Sequence, residues 1–127
     1  MTPEALQRFA LSLPEAHEAP HFERTSFRIG TKIFATMTRD GREAMVKLSD
    51  PDEVEALLAA QPDVFFSYGT WTIRNGALGV RLAAVKATLM KQLVTAAWKS
   101  IAPKRALAAL DAADQQPRRR KRPAGGD

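Results

Sequence analysis

Three glycine-bearing turn signals punctuate the middle of the chain: Gly30-Thr31, Asp40-Gly41 and Asn75-Gly76. Each sits between short segments in which apolar and polar residues alternate. Two-residue Asp-Gly and Asn-Gly loops need positive φ, which these residues tolerate, and they join antiparallel strands. Helical runs lie on either side. The pattern therefore predicts an α+β fold of two layers, an antiparallel sheet with helices packed on one face. The length of 127 residues suits one domain, expected over residues 1–113, with a tail over 114–127.

Thr2 caps a first helix with Pro3 at its first position, and Leu6, Phe9, Ala10 and Leu13 share one apolar face. Pro14 ends that helix, and residues 15–24 are expected to be irregular. Ser26–Ile29, Lys32–Thr38 and Glu43–Leu48 follow as strands. Asp50 and Pro51 then open a second helix, with Asp52 and Glu53 in the first turn where the helix dipole favours negative charge. Val64–Phe66 is expected as a short strand, and Trp71–Arg74 with Ala77–Leu82 as a second hairpin about Asn75-Gly76. The strongest helical periodicity runs from about Lys86 to Ile101, before a short helix over Ala106–Ala113. From Gln115 onward Pro, Gly, Arg and Lys dominate without an apolar anchor, so this tail is expected to be disordered.

The chain has no cysteine, which removes disulfides, thiolate metal sites and cysteine nucleophiles. Its opening residues form no basic, apolar leader and no stretch approaches a membrane span, so the expected location is the cytoplasm, away from membranes. The net charge of +5 is uneven: residues 117–127 carry +4 and the rest +1. The run Arg118, Arg119, Arg120, Lys121 and Arg122 attracts nucleic acid or another polyanion; its bland reading is a solvated tail.

No complete catalytic constellation emerges. His17-Glu18-Ala19-Pro20-His21 has the letters of the H-E-x-x-H zinc motif, but that chemistry needs both histidines on one face of a regular helix, and Pro20 interrupts one. The serines lack a nucleophile elbow, and Gly76-Ala77-Leu78-Gly79 lies in a predicted hairpin, not between a strand and a helix. The acids Asp50, Asp52, Glu53 and Glu55 fit a solvated helix start. No catalytic residue, metal site or cofactor is assigned.

The basic residues carry more information. Placing Phe27, Ile29, Ile33, Ala44, Val46, Leu48, Trp71, Ile73, Leu78, Val80 and Leu82 inward leaves Arg28, Lys32, Phe34, Thr36, Met45, Lys47, Thr72, Arg74 and Arg81 outward. Those outward cations meet one acid, Glu43, while Arg39 and Arg42 flank the Asp-Gly turn. Such a face suits phosphates; an ordinary solvated sheet face is the alternative. Trp71 and Trp98 sit at core spacing and are expected to pack inside.

The segments FALSLPEAHEAPHF, SFRIGTKIFATM, MVKLSDPDEVEALLAAQPDVFF and VRLAAVKATLMKQLVTAAWKSIAPKRAL, in this order, resemble the MmcQ/YjbR family of small bacterial proteins over about residues 5–107. The resemblance implies a CyaY-like fold. It also implies DNA binding through paired hairpin wings, which here map to Arg39–Arg42 and to Arg74-Asn75-Gly76, with Lys32, Lys47 and Arg81 behind them. The related frataxin fold binds iron through an acidic first helix; here that helix offers Glu4, with Glu15 beyond it, so the route does not carry over.

The expected function is a non-enzymatic DNA-binding protein of low sequence selectivity, using the hairpin cations and the basic tail. The alternative is a protein-interaction or small-ligand module docking on the sheet face at Phe34 and Met45. A metal-dependent hydrolase using His17, Glu18 and His21 is a third reading.

Overall fold

The computed structural model describes residues 1–113. The basic run Arg118–Arg122 and the expected tail lie outside the described residues. Helix α1 covers Pro3–Ser12, capped by Thr2 Oγ1, which accepts from the Ala5 N–H at 3.1 Å. The chain then forms β1 (His17–His21), β2 (Arg24–Ile29), β3 (Lys32–Thr38) and β4 (Glu43–Lys47). Helix α2 (Pro51–Ala60) starts at Asp50, whose carboxylate accepts from the Asp52 N–H at 2.9 Å. After it come β5 (Phe65–Phe66), α3 (Thr70–Arg74), β6 (Ala77–Arg81) and α4 (Ala87–Ile101). A last helix, α5, covers residues 104–113.

The six strands form one antiparallel sheet in the order β1-β2-β3-β4-β6-β5. Leu6 and Ala10 of α1, and Met90, Val94, Ala97 and Trp98 of α4, are fully buried with Phe27, Phe34, Val46, Leu78 and Val80 of the sheet. The expected two-layer α+β architecture is therefore present. Trp98 is a packing residue as expected: it is 0% exposed and its indole N–H donates to the Pro14 carbonyl at 3.0 Å. This ties α4 to the end of α1, and Arg105 adds a bidentate pair with Glu15 at 2.7 and 2.8 Å. Among the described residues, no helix is long and apolar enough to cross a membrane.

Four expectations need correction. Residues 17–21, expected to be irregular, form an edge strand. Pro20 has no N–H to give, and the edge of a sheet is where strands accept that loss. Phe34, expected outward, is 0% exposed, whereas Ile33, expected inward, is half-buried. The cause is a β-bulge: Phe27 pairs with Ala35 and Arg28 with Ile33, so Phe34 is an extra residue in β3. The bulge resets the alternation, and strict period two cannot register it.

Third, Trp71–Arg74 is a helix, not a strand. Asn75-Gly76 closes it as a C-terminal cap: the Asn75 side-chain amide donates to the Trp71 carbonyl at 2.8 Å, and the Gly76 N–H donates to the Ile73 carbonyl at 2.9 Å. The dipeptide that makes a hairpin also makes a left-handed helix cap, because both need positive φ, here 79° at Gly76. The expected second hairpin does not exist. Fourth, Trp71 is 74% exposed.

Gly76 also lies so close to β4 that its carbonyl accepts from the Leu48 N–H at 2.7 Å. A Cβ there would collide with the Leu48 carbonyl oxygen. Gly76→Ala is expected to destabilise the fold by about 2–3 kcal/mol, combining steric conflict with left-handed strain. A lowered urea midpoint at an unchanged slope would show it.

Candidate nucleic-acid interface

The sheet face away from α1 and α4 is partly roofed by the segment 66–76. Gly79 makes this possible: Phe66 pairs with it across the strands, and the Phe66 ring lies where a Gly79 side chain would stand. The Arg81 guanidinium sits over the Phe66 ring, 4.9 Å from its centroid. Phe66 meets Tyr68 edge to face at 5.2 Å, and Arg24 of β2 sits over Tyr68 at 5.4 Å. Arg24 also donates to the Tyr68 hydroxyl at 3.3 Å and to Thr36 Oγ1 at 3.2 Å. A cation–aromatic ladder, Arg81–Phe66–Tyr68–Arg24, thus spans the face from β6 to β2.

Beside this ladder is a cleft of about 460 Å³, within the usual range for ligand sites of roughly 300–1,000 Å³. Ile33, Met45 and Ala77 give it an apolar floor; Tyr68 and Trp71 line it with aromatic rings; Arg24 and Lys47 bring positive charge. Among the described residues, no aspartate or glutamate lines it.

The residues singled out from the sequence fall into two groups. Around the Gly41 turn lie Arg39, Arg42 and Arg81. Around the Gly30 and Gly76 turns lie Arg28, Lys32, Lys47 and Arg74. The two expected wings are therefore at opposite ends of the strands. Arg39, Lys32, Lys47 and Arg74 are exposed. Three other cations are engaged within the fold. Arg28 donates to Ser26 Oγ at 2.8 Å and to the Pro20 carbonyl at 3.1 Å, bracing the edge strand. Arg81 donates to the Pro62 carbonyl at 3.3 Å, and Arg42 lies 4.0 Å from Asp40. Lys32 pairs with the core residue Ile29, which puts it on the helix side of the sheet.

Arg24, Tyr68 and Trp71 are the functional candidates that sequence reasoning missed or misplaced. Arg24 extends the polar alternation of Ser26 and Arg28, which was a usable signal. Tyr68 lies in a segment without periodicity, and Trp71 in one whose Trp71 and Ile73 alternation reads as a strand although it folds as a helix.

The H-E-x-x-H letters lie on β1, so the helical geometry of the zinc motif is absent. The three side chains are separately engaged: His17 Nε2 is 2.9 Å from the Gly30 carbonyl, Glu18 accepts from Gln7 at 2.7 Å, and His21 packs on Phe22 at 4.7 Å. Among the described residues, no cluster of three or more histidine, aspartate or glutamate side chains is placed to hold a metal ion.

The family model described as YjbR matches residues 11–100. The chain belongs to the YjbR family. Its fold is similar to the crystal structure of the Deinococcus radiodurans protein DR2400, a DUF419 domain, with a TM-score of 0.67 and 21% identity over 81% of this chain and 80% of that one. No curated protein matches the chain.

The Gly41 turn, one of the two expected wings, is organised by Asp40. Its carboxylate accepts from the Arg42 N–H at 3.0 Å and from the Thr38 hydroxyl at 2.7 Å. These bonds, the first chief among them, hold its pKa below the ordinary 3.8. A depressed carboxyl stabilises the fold above its unfolded value, and that contribution is lost as pH falls through the folded value. Asp40→Asn is expected to show a shallower loss of stability on acidification below about pH 4 than the parent chain, read from urea midpoints.

Proposed function

We propose that this YjbR-family chain is a non-enzymatic nucleic-acid-binding protein that holds phosphates with the cations of the outer sheet face and its flanking turns. One observation carries the reading: Arg24 and Lys47 line the cleft, Arg74 is exposed next to its lining residue Asn75, and among the described residues no carboxylate lines the cleft. On the same outer face Glu43 pairs across the strands with Arg81, outside the cleft lining, while other acids lie on the first turn of α2 and in the pair of Glu15 with Arg105. A chain whose first 116 residues carry only +1 thereby gathers positive charge at this cleft. Local fields of this kind, more than net charge, concentrate a polyanion.

The docking-module alternative rested on Phe34 and Met45. Phe34 belongs to the core and Met45 to the cleft floor, so the exposed apolar pair it needed is not present. The run Arg118–Arg122 supports the proposal from sequence alone, as added attraction for the same polyanion.

The test is DNA binding by fluorescence anisotropy across a salt series, on the full chain and on one ending at Gln116. Charge reversal of Arg39, Lys47 and Arg74 is the decisive variant. These side chains are exposed and none makes a hydrogen bond or ion pair among the described residues, so the fold is expected to survive. The expected outcome is weaker binding and a log–log salt slope smaller by about one unit for each phosphate no longer neutralised. Unchanged affinity after charge reversal in the shortened chain would overturn the proposal.

A further inference from the structure

We infer that the cleft takes unpaired bases, so that the ligand of the outer face is single-stranded nucleic acid and not duplex. This rests on the nucleic-acid reading and specifies its ligand. The starting observation is Trp71. It is 74% exposed, although the chain's other tryptophan is completely buried. The exposure is imposed by a rigid support. Helix α3 is fastened by Asn75 and Gly76 at its end, while Thr72 Oγ1 donates to the Gly69 carbonyl at 2.7 Å. Ile73 turns inward against the core and Trp71 turns out. An indole held in water by a built element is a surface waiting for a flat partner.

The surroundings select the partner's chemistry. The apolar floor of Ile33, Met45 and Ala77 suits a ring face, and Lys47 and Arg24 suit the phosphates attached to it. Arg24 spends two hydrogen bonds on Tyr68 and Thr36, which fixes its position and leaves further N–H donors for an anion. Two cations and no carboxylate among the described lining residues favour an anionic ligand over a cationic one. A base inside a duplex has both faces covered by its neighbours, so only an unpaired base offers a face to Trp71.

The experiment uses the full chain with a fluorescein-labelled oligo(dT) of about fifteen nucleotides, within the span of known single-strand sites. A hairpin duplex of equal charge is the comparison. The expected result is tighter binding of the single strand and quenching of tryptophan emission by unlabelled oligo(dT). Trp71→Ala should weaken single-strand binding about tenfold, the loss of one stacked base, while leaving duplex binding unchanged; Trp71→Phe should restore most of it. Duplex bound as tightly as single strand, with no effect of Trp71→Ala, would overturn this inference and leave phosphate binding standing. No binding of either nucleic acid would overturn the proposed function itself.

Discussion

The outer face depends on one packing event, the ring of Phe66 lying across Gly79. A two-residue edge strand has little hold on a sheet through its backbone, and β5 consists only of Phe65 and Phe66. Its side chains do the work. Phe65 goes into the core and Phe66 goes to the opposite face, where the missing side chain of Gly79 leaves room. Arg81 then closes over Phe66. From this anchor the chain passes outward, places Tyr68 against Arg24, and returns through α3 to Gly76. Gly76 is the second fixed point, pressed against the Leu48 carbonyl. Two glycines, one at each end, therefore hold a segment that buries little of its own apolar surface.

This arrangement explains how a nearly neutral body acquires a positive cleft. The cations that meet there come from distant points of the chain, Arg24 at the start of β2 and Lys47 at the end of β4. Their approach follows from strand order and from parity. The bulge at Phe34 matters here, because it lets Phe34 and Ala35 both be fully buried while Ile33 and Thr36 line the cleft. Without the extra residue, one part of β3 would present its apolar side chains to water, since a one-residue slip reverses every side chain beyond it.

The legible parts of the fold were those governed by one local rule. The caps at Thr2 and Asp50, the Gly30 and Gly41 turns, and the long periodicity of α4 each have a single physical meaning in this context. Three features had two meanings. Asn75-Gly76 satisfies both a hairpin and a helix cap, and Trp71 followed it to the wrong side. Pro20 argues against a strand in general but not against an edge strand. Phe34 obeys alternation only if no bulge precedes it. The candidate site was legible as a charge bias, through Lys47, Arg74 and the turn arginines. Its aromatic half was not, because Tyr68 is positioned by tertiary contacts of Phe66 and Arg24 that leave no periodic trace, and the alternation of Trp71 and Ile73 reads as a strand where a capped helix forms.

The same contacts decide how strongly such a face can bind. A loose loop carrying Tyr68 and Trp71 would lose its freedom on meeting a ligand, at about 0.5–1.5 kcal/mol for each immobilised side chain. Here most of that ordering is done on folding: Tyr68 is held by Arg24 and Phe66, and α3 by its caps. Phe22 fits the same logic. It sits at a left-handed φ of 56°, 90% exposed, with its ring against His21 on the cleft's far rim. An aromatic residue in that conformation is strained, and burial gives nothing back. Phe22 is thus an exposed ring fixed by the backbone at some expense of stability, whereas Trp71 is an exposed ring fixed by the end caps of α3.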